Sequence, residues 1–135
     1  MRYAICYVST ANADLEKPEV QNLLNYTSNF NNAHDIRGVL LYSEGNFFQI
    51  LEGDKKFVLE LFDQIQKDTR HQNIIQVLGK DLKQGAFDGF KAEIVSETSK
   101  YDYELVKEYM EQVEGLDHQT QQTVKRILEV FIETR

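Results

Sequence analysis

Apolar residues fall into two kinds of run along this chain: short continuous or alternating stretches rich in β-branched and aromatic residues, and longer stretches spaced three and four apart. The first kind reads as strand and the second as helix. Tyr3-Ala4-Ile5-Cys6-Tyr7-Val8-Ser9 predicts a first strand. A polar stretch with Asn12 and Asp14 follows, then Pro18, which suits the first turn of a helix. Val20, Leu23, Leu24, Thr27 and Phe30 recur at helical spacing and carry helix one to about Asn31. Gly38 to Tyr42 predicts strand two, Ser43-Glu44-Gly45-Asn46 a turn, and Phe47 to Glu52 strand three, closing a hairpin. Gly53 is expected to break that strand and Asp54 to cap helix two, whose buried stripe is Val58, Leu61, Phe62 and Ile65. Asn73 to Leu78 and Phe90 to Val95 predict strands four and five. Leu105, Val106, Tyr109, Met110 and Val113 predict a third helix ending at Gly115, and Val124, Ile127, Leu128 and Phe131 a fourth.

The order βαββαββ followed by a helical pair predicts an α+β fold of ferredoxin-like type. Strands one and three are apolar on both alternating faces, and a sheet of that kind needs cover on both. Helices one and two are expected on one face and the C-terminal pair on the other. The expected division is a core over residues 1–97 and a packed helical extension over 98–135, with no linker and no effector domain.

Composition narrows the setting. The 135 residues are one domain's worth of chain. No apolar run approaches the roughly 20 residues that span a bilayer, and the short apolar start lacks the cleavage site of a signal peptide. A net charge of −7 argues against direct binding to nucleic acid or an anionic membrane. The single Cys6 excludes an internal disulfide and fits a reducing, cytoplasmic setting. His34, His71 and His118 are scattered, without metal-site spacing.

The informative residues are polar ones where the pattern expects apolar ones. Gln49 lies within Phe47-Phe48-Gln49-Ile50-Leu51 and by alternation shares a face with Phe47 and Leu51. It is either a buried amide that must be hydrogen-bonded or a solvent-facing residue of an edge strand. The inward stripe of helix one reaches Asn31, where the apolar code stops, and on pattern alone Asn31-Asn32 reads more readily as a fraying helix end. Tyr7 shares a strand face with Ile5, which by itself describes a core tyrosine with a local partner. Together these residues predict a pocket between the sheet and helices one and two, suited to a planar heterocycle with carbonyl and ring-nitrogen edges. Gly-rich phosphate loops and Ser/His/Asp or Cys/His sets are lacking. Asp68-Thr69-Arg70-His71 places charge at the end of helix two, near the predicted pocket mouth.

Four segments carry a family resemblance: Tyr3 to Ser9; Asn31-Asn32 with Ile36-Arg37-Gly38-Val39-Leu40-Leu41-Tyr42; Phe47-Phe48-Gln49-Ile50-Leu51-Glu52-Gly53; and Asp68-Thr69-Arg70-His71. In this order, across about residues 1–95, the chain resembles BLUF photoreceptor domains. The resemblance implies a blue-light sensor that is not an enzyme, with FAD held non-covalently between helices one and two. It implies Tyr7 and Gln49 as the photoactive pair, Tyr7 donating an electron and a proton and Gln49 bridging Tyr7 and the flavin. Asn31 would hold the ring's carbonyl edge, with Asn32, Thr27, Ile65, Asp68, Arg70 and His71 as further contacts. The family often carries Trp and Met in the fifth strand; those positions are Phe90 and Ala92 here, and the chain has no Trp. Signal would leave through Phe90, a backbone shift or strand-to-tail contacts, to an unidentified protein partner or through homo-oligomerisation. Two competing readings are a small acylphosphatase-like hydrolase, which needs an arginine in the loop after strand one, and a flavin-free interaction module.

Overall fold

The computed structural model describes residues 2–43, 45–82, 89–94 and 122. Its elements run β1 (Arg2–Ala11), α1 (Lys17–Ala33), β2 (Arg37–Ser43), β3 (Asn46–Asp54), α2 (Lys55–Lys67), β4 (His71–Leu82) and β5 (Phe90–Ile94). The five strands form one sheet in the order β4-β1-β3-β2-β5, antiparallel except for the parallel β2–β5 pair. This is the expected α+β, ferredoxin-like βαββαββ arrangement. Apart from Gln122, which is helical, the predicted helices at 98–135 lie outside the described residues.

Helix α1 begins where the sequence can begin one. Pro18 falls in its first turn, and the Glu19 carboxylate accepts the Glu16 N–H at 3.4 Å. At α2 the Asp54 carboxylate accepts the Phe57 N–H at 3.3 Å, the cap predicted for it. Both helices lie on the same face of the sheet. Val20 and Leu24 of α1 and Val58 and Phe62 of α2 form one buried cluster with Ile5 and Tyr7 of β1, Leu40 of β2, and Phe47 and Leu51 of β3. The alternate residues of the same strands, Cys6, Val39, Leu41, Phe48 and Ile50, are buried as well. Both faces of the central strands are therefore dry, as their apolar character on both alternations requires.

Three boundaries differ from expectation. Strand β4 runs from His71 to Leu82, because its ladder with β1 extends through polar residues that an apolar pattern does not register. The β1–β4 ladder also shifts register between Cys6 and Tyr7 and again between Val8 and Thr10, and Asn73 in β4 takes a left-handed φ of 55°. Strand β3 is not broken at Gly53, which pairs with Tyr3. A Cβ there would come within 2.7 Å of Ile36 Cδ1, so the glycine serves close packing. Helix α1 continues to Ala33, which puts Asn31 and Asn32 inside its last turn.

Gly38 in β2 combines two demands. Its φ is +134°, and a Cβ would stand 2.0 Å from the Ile50 carbonyl oxygen across the β2–β3 ladder. The strained φ alone costs about 1–3 kcal/mol in a non-glycine residue, and the overlap with a backbone atom adds to it. Gly38→Ala is expected to lose at least about 2 kcal/mol of unfolding free energy, measured by denaturant titration. A variant within about 0.5 kcal/mol of the parent, the usual range of an ordinary surface substitution, would contradict this account.

Candidate functional site

The site starts from one line of register. Tyr7 of β1 stands directly opposite Gln49 of β3, and Gln49 stands directly opposite Leu40 of β2. Residues opposite one another leave a sheet on the same side, so all three point toward α1 and α2. Strand β3 is the middle strand of five, which removes the solvent-facing edge-strand alternative for Gln49. The amide is 2% exposed. Its Oε1 accepts a short hydrogen bond from Tyr7 Oη. With that oxygen committed, Gln49 has its two N–H donors left for whatever lies beyond it.

Beyond it is a cleft of about 200 Å³ between α1 and α2, floored by the sheet. Tyr7, Leu40, Phe47 and Gln49 form the floor. Helix α1 supplies Leu23, Tyr26, Thr27, Phe30 and Asn31. Helix α2 supplies Leu61, Gln64 and Ile65, the turn after it Asp68 and Arg70, and the start of β4 His71. Asn31 is 2% exposed, and among the described residues its buried Nδ2 has no hydrogen-bond partner. An orphaned buried donor costs about 1–3 kcal/mol, so an N–H left unpaired against a cleft marks where a ligand acceptor belongs.

Electrostatics keep the floor neutral. Burial, then the nearby Asp68 charge and Cys6, push the Tyr7 phenol well above its ordinary range. Burial alone pushes the Cys6 thiol up to about 12. At the mouth, Arg70 donates from Nε and Nη2 to the Asp68 carboxylate at 2.6 to 3.1 Å, which holds Asp68 below the usual carboxylate range. His71 is engaged at both nitrogens: Nδ1 lies 2.8 Å from Ser9 Oγ and Nε2 lies 2.7 Å from the Ile65 carbonyl oxygen. That carbonyl can only accept, so Nε2 carries the proton, and His71 turns ring surface rather than a free donor toward the cleft.

The predicted site residues separate on this geometry. Tyr7, Thr27, Asn31, Gln49, Ile65, Asp68, Arg70 and His71 all line the cleft. Asn32 does not line it: its Nδ2 donates to the Phe90 carbonyl at 3.0 Å and its Oδ1 accepts the Phe90 N–H at 2.9 Å. Phe90 is buried in the core cluster and Ala92 packs against it, and neither lines the cleft. Sequence reading missed Tyr26, Gln64, Leu40 and the cleft-facing role of Leu23, Phe30, Phe47 and Leu61. The apolar ones carry a core signal, because a slot for a ring is lined like a core.

The model of the family described as "Sensors of blue-light using FAD", BLUF, matches residues 3–93. This chain belongs to the BLUF family. Among curated proteins, the Escherichia coli K12 "Blue light- and temperature-regulated antirepressor BluF" is 30% identical over 78 residues, 58% of this chain and 19% of that protein. Subunit alpha of the photoactivated adenylate cyclase of Euglena gracilis is 32% identical over 73 residues, 54% of this chain and 7% of that one. The matches thus span a small part of these relatives' lengths. The solved structure of BlsA in its photo-activated state is 28% identical, with a TM-score of 0.69, covering 98% of this chain and 95% of that one. The BLUF domain of BlrP1, a Klebsiella pneumoniae protein, gives 25% identity and a TM-score of 0.76 over 98% and 90%.

The BLUF chromophore is FAD, and the cleft fits its ring system. The apolar side chains of Leu40 and Phe47 in the floor and of Leu61 and Ile65 in the wall suit the flat faces, while the N–H groups of Asn31 and Gln49 suit a carbonyl edge. At about 200 Å³ the cleft is smaller than the roughly 300–1,000 Å³ of sites that enclose a whole drug-sized ligand. That size and lining suit a flat ring system better than a whole dinucleotide, and Asp68 and Arg70 would be among the residues to meet what extends from it.

The raised Tyr7 and Cys6 values fix a pH dependence. Each group binds its proton more tightly when folded, so the unfolded chain ionises first as pH rises. Stability conferred by the neutral buried forms is intact below about pH 8.5 and falls above it, as Cys6 and then Tyr7 ionise in the unfolded chain. Tyr7→Phe is expected to flatten the part of this loss above about pH 10, read from denaturation midpoints between pH 8 and 11. In the native protein Cys6 should not react with a thiol reagent at neutral pH, and it should react once unfolded. Rapid native labelling would contradict the burial.

Proposed function

We propose that this protein reports blue light through a two-position hydrogen-bond switch made of Tyr7 and Gln49, with Asn31 holding the edge of the bound flavin. The observation that carries this reading is the direct Tyr7 to Gln49 bond at the floor of the cleft, beside an Asn31 amide whose N–H has no protein partner. Bound there, FAD supplies absorption of blue light and an excited state able to draw on a nearby phenol. Everything else in the proposal belongs to the chain. The Tyr7 Oη proton is shared along an existing bond with Gln49 Oε1, so a proton can pass between them without atoms travelling far. A carboxamide that has briefly accepted that proton on oxygen can give it back after turning over, with its oxygen and nitrogen ends exchanged, or can keep it and release one from nitrogen in its place, leaving the imidic tautomer. Either outcome changes which group Gln49 presents to the cleft. Phenol and carboxamide suit this task because each donates and accepts, so the same atoms support two complete bonding patterns.

The acylphosphatase-like reading lacks its central group. Residues 12–16, the loop after β1, contain no arginine, and Arg2 is spent within 3.4 Å of the buried Glu52. We therefore read the chain as a sensor without catalytic activity. Among the described residues no helix is long and apolar enough to cross a membrane; with the acidic balance and lone thiol, this supports a cytoplasmic setting. The output we propose is a change in binding to a protein partner, with a change in self-association as the alternative. Residues 98–135 would act as the relay, and residues 1–97 as the sensing core.

A light-minus-dark absorption spectrum tests the reading. Purified protein should be yellow, and blue light should red-shift its flavin bands reversibly in the dark. Tyr7→Phe and Gln49→Leu should each retain flavin and lose the shift; a normal photocycle in either would overturn that residue's role. Ala92→Met should keep the red shift and alter at most its recovery rate. A protein that stays colourless after reconstitution with FAD would refute the sensor reading itself.

A further inference from the structure

We propose that Asn32 is a positioning residue that couples the cleft to the edge of the sheet, by joining the backbone of Phe90 to the same helical turn that carries Asn31. The inference rests on the light-sensing reading above and assigns how a change at the cleft leaves it.

Strand β5 is joined to β2 with Gly38 opposite Phe90, and the Gly38 N–H donates to the Gly89 carbonyl at 2.9 Å. In a parallel ladder of this register the N–H and C=O of Phe90 itself point away from β2. Backbone groups facing outward from a strand ordinarily need another strand or water. Here one side chain serves both: Asn32 Oδ1 accepts the Phe90 N–H at 2.9 Å, and Asn32 Nδ2 donates to the Phe90 carbonyl at 3.0 Å. Ser28 Oγ, one turn earlier on α1, donates to the same carbonyl at 3.3 Å. A carboxamide is the side-chain group that can reproduce both halves of a peptide's bonding. Asn32 therefore acts as a one-residue strand, fixing β5 to α1.

Its neighbour faces the other way. Successive helical residues diverge by about 100°, so Asn31 turns into the cleft while Asn32 turns to β5. A single peptide unit separates the two amides. The backbone of Asn31 is itself tethered, since its carbonyl accepts from the His34 N–H at 3.2 Å and from the Ile36 N–H at 2.9 Å. A change in what Asn31 holds cannot be absorbed by that residue alone, and the rigid path it has leads through Asn32 to Phe90. The side chains of Phe90 and Ala92 do not line the cleft, so the connection to β5 runs through backbone and not through a side chain exchanging places.

The test is light-minus-dark infrared spectroscopy of the full chain with FAD, with ¹³C at the carbonyl of phenylalanine. Phe90→Leu identifies the band of residue 90. In the parent protein this band should shift on illumination and return in the dark. In Asn32→Leu, which removes both bonds, the visible red shift should persist while the light-induced movement of the Phe90 band is lost. Asn32→Gln, which keeps donor and acceptor, should restore at least part of it. A Phe90 carbonyl that does not respond to light in the parent, or that responds equally in Asn32→Leu, would overturn the proposal. If Asn32→Leu fails to fold, the parent measurement and Asn32→Asp decide, because Asp keeps the acceptor for the Phe90 N–H and loses the donor to its carbonyl. Under the proposal Asp weakens the light response of that band, and an unchanged response refutes it. A visible red shift with a silent Phe90 band sinks the coupling alone, whereas absence of any visible red shift in the parent sinks the sensing reading and the coupling with it.

Discussion

A phenol and a carboxamide buried against each other on adjacent strands must satisfy one another, and that requirement organises this molecule. Tyr7 and Gln49 face the same way because β1 and β3 pair with those residues opposite. A slip of one position would send one of them through the sheet to the other side. The register is in turn secured on both faces by apolar residues, since Ile5 and Leu51 are fully buried on one side and Cys6 and Phe48 on the other. The hydrophobic pattern thus fixes where the polar pair can be, and the polar pair determines what the cleft above it can recognise.

The cleft depends on what the helices leave uncovered. Val20 and Leu24, with Val58 and Phe62, take the buried positions against the sheet. Leu23, Phe30, Leu61 and Ile65 sit one stripe over, partly buried, and become walls. Donors are aimed into that apolar slot from the end of α1 and from β3, and the charged pair Asp68 and Arg70 is kept at the rim. The rim pair is partly exposed, and pairs of that kind contribute little to stability. Its consequence for the site is electrostatic, since the Asp68 charge helps to keep Tyr7 protonated.

Much of this was legible in the chain, and the parts that were not share a cause. Strand and helix identities follow from apolar periodicity, and Gln49 and Asn31 stood out because each interrupts such a pattern. Periodicity does not register polar residues recruited by a neighbour's ladder, which is why β4 is longer than its apolar stretch. Nor does it distinguish a glycine that ends a strand from one that lets Ile36 pack, as at Gly53. Asn31 and Asn32 are the same residue type in adjacent positions, and sequence gave them one role. Helical geometry divides them: one amide faces a cleft and the other grips the backbone of β5. Cleft-facing hydrocarbon also looks like core until the helices are seen to stand apart.

The placement of Leu40 has one more implication. It lies directly across β3's ladder from Gln49, on the side opposite Tyr7, so the amide is confined between an aromatic ring and a branched hydrocarbon on a strand held from both sides. On the proposed reading, a carboxamide that turns over does so beside this aliphatic neighbour, so the shape of a residue that makes no polar side-chain bond borders the switch as closely as the phenol does.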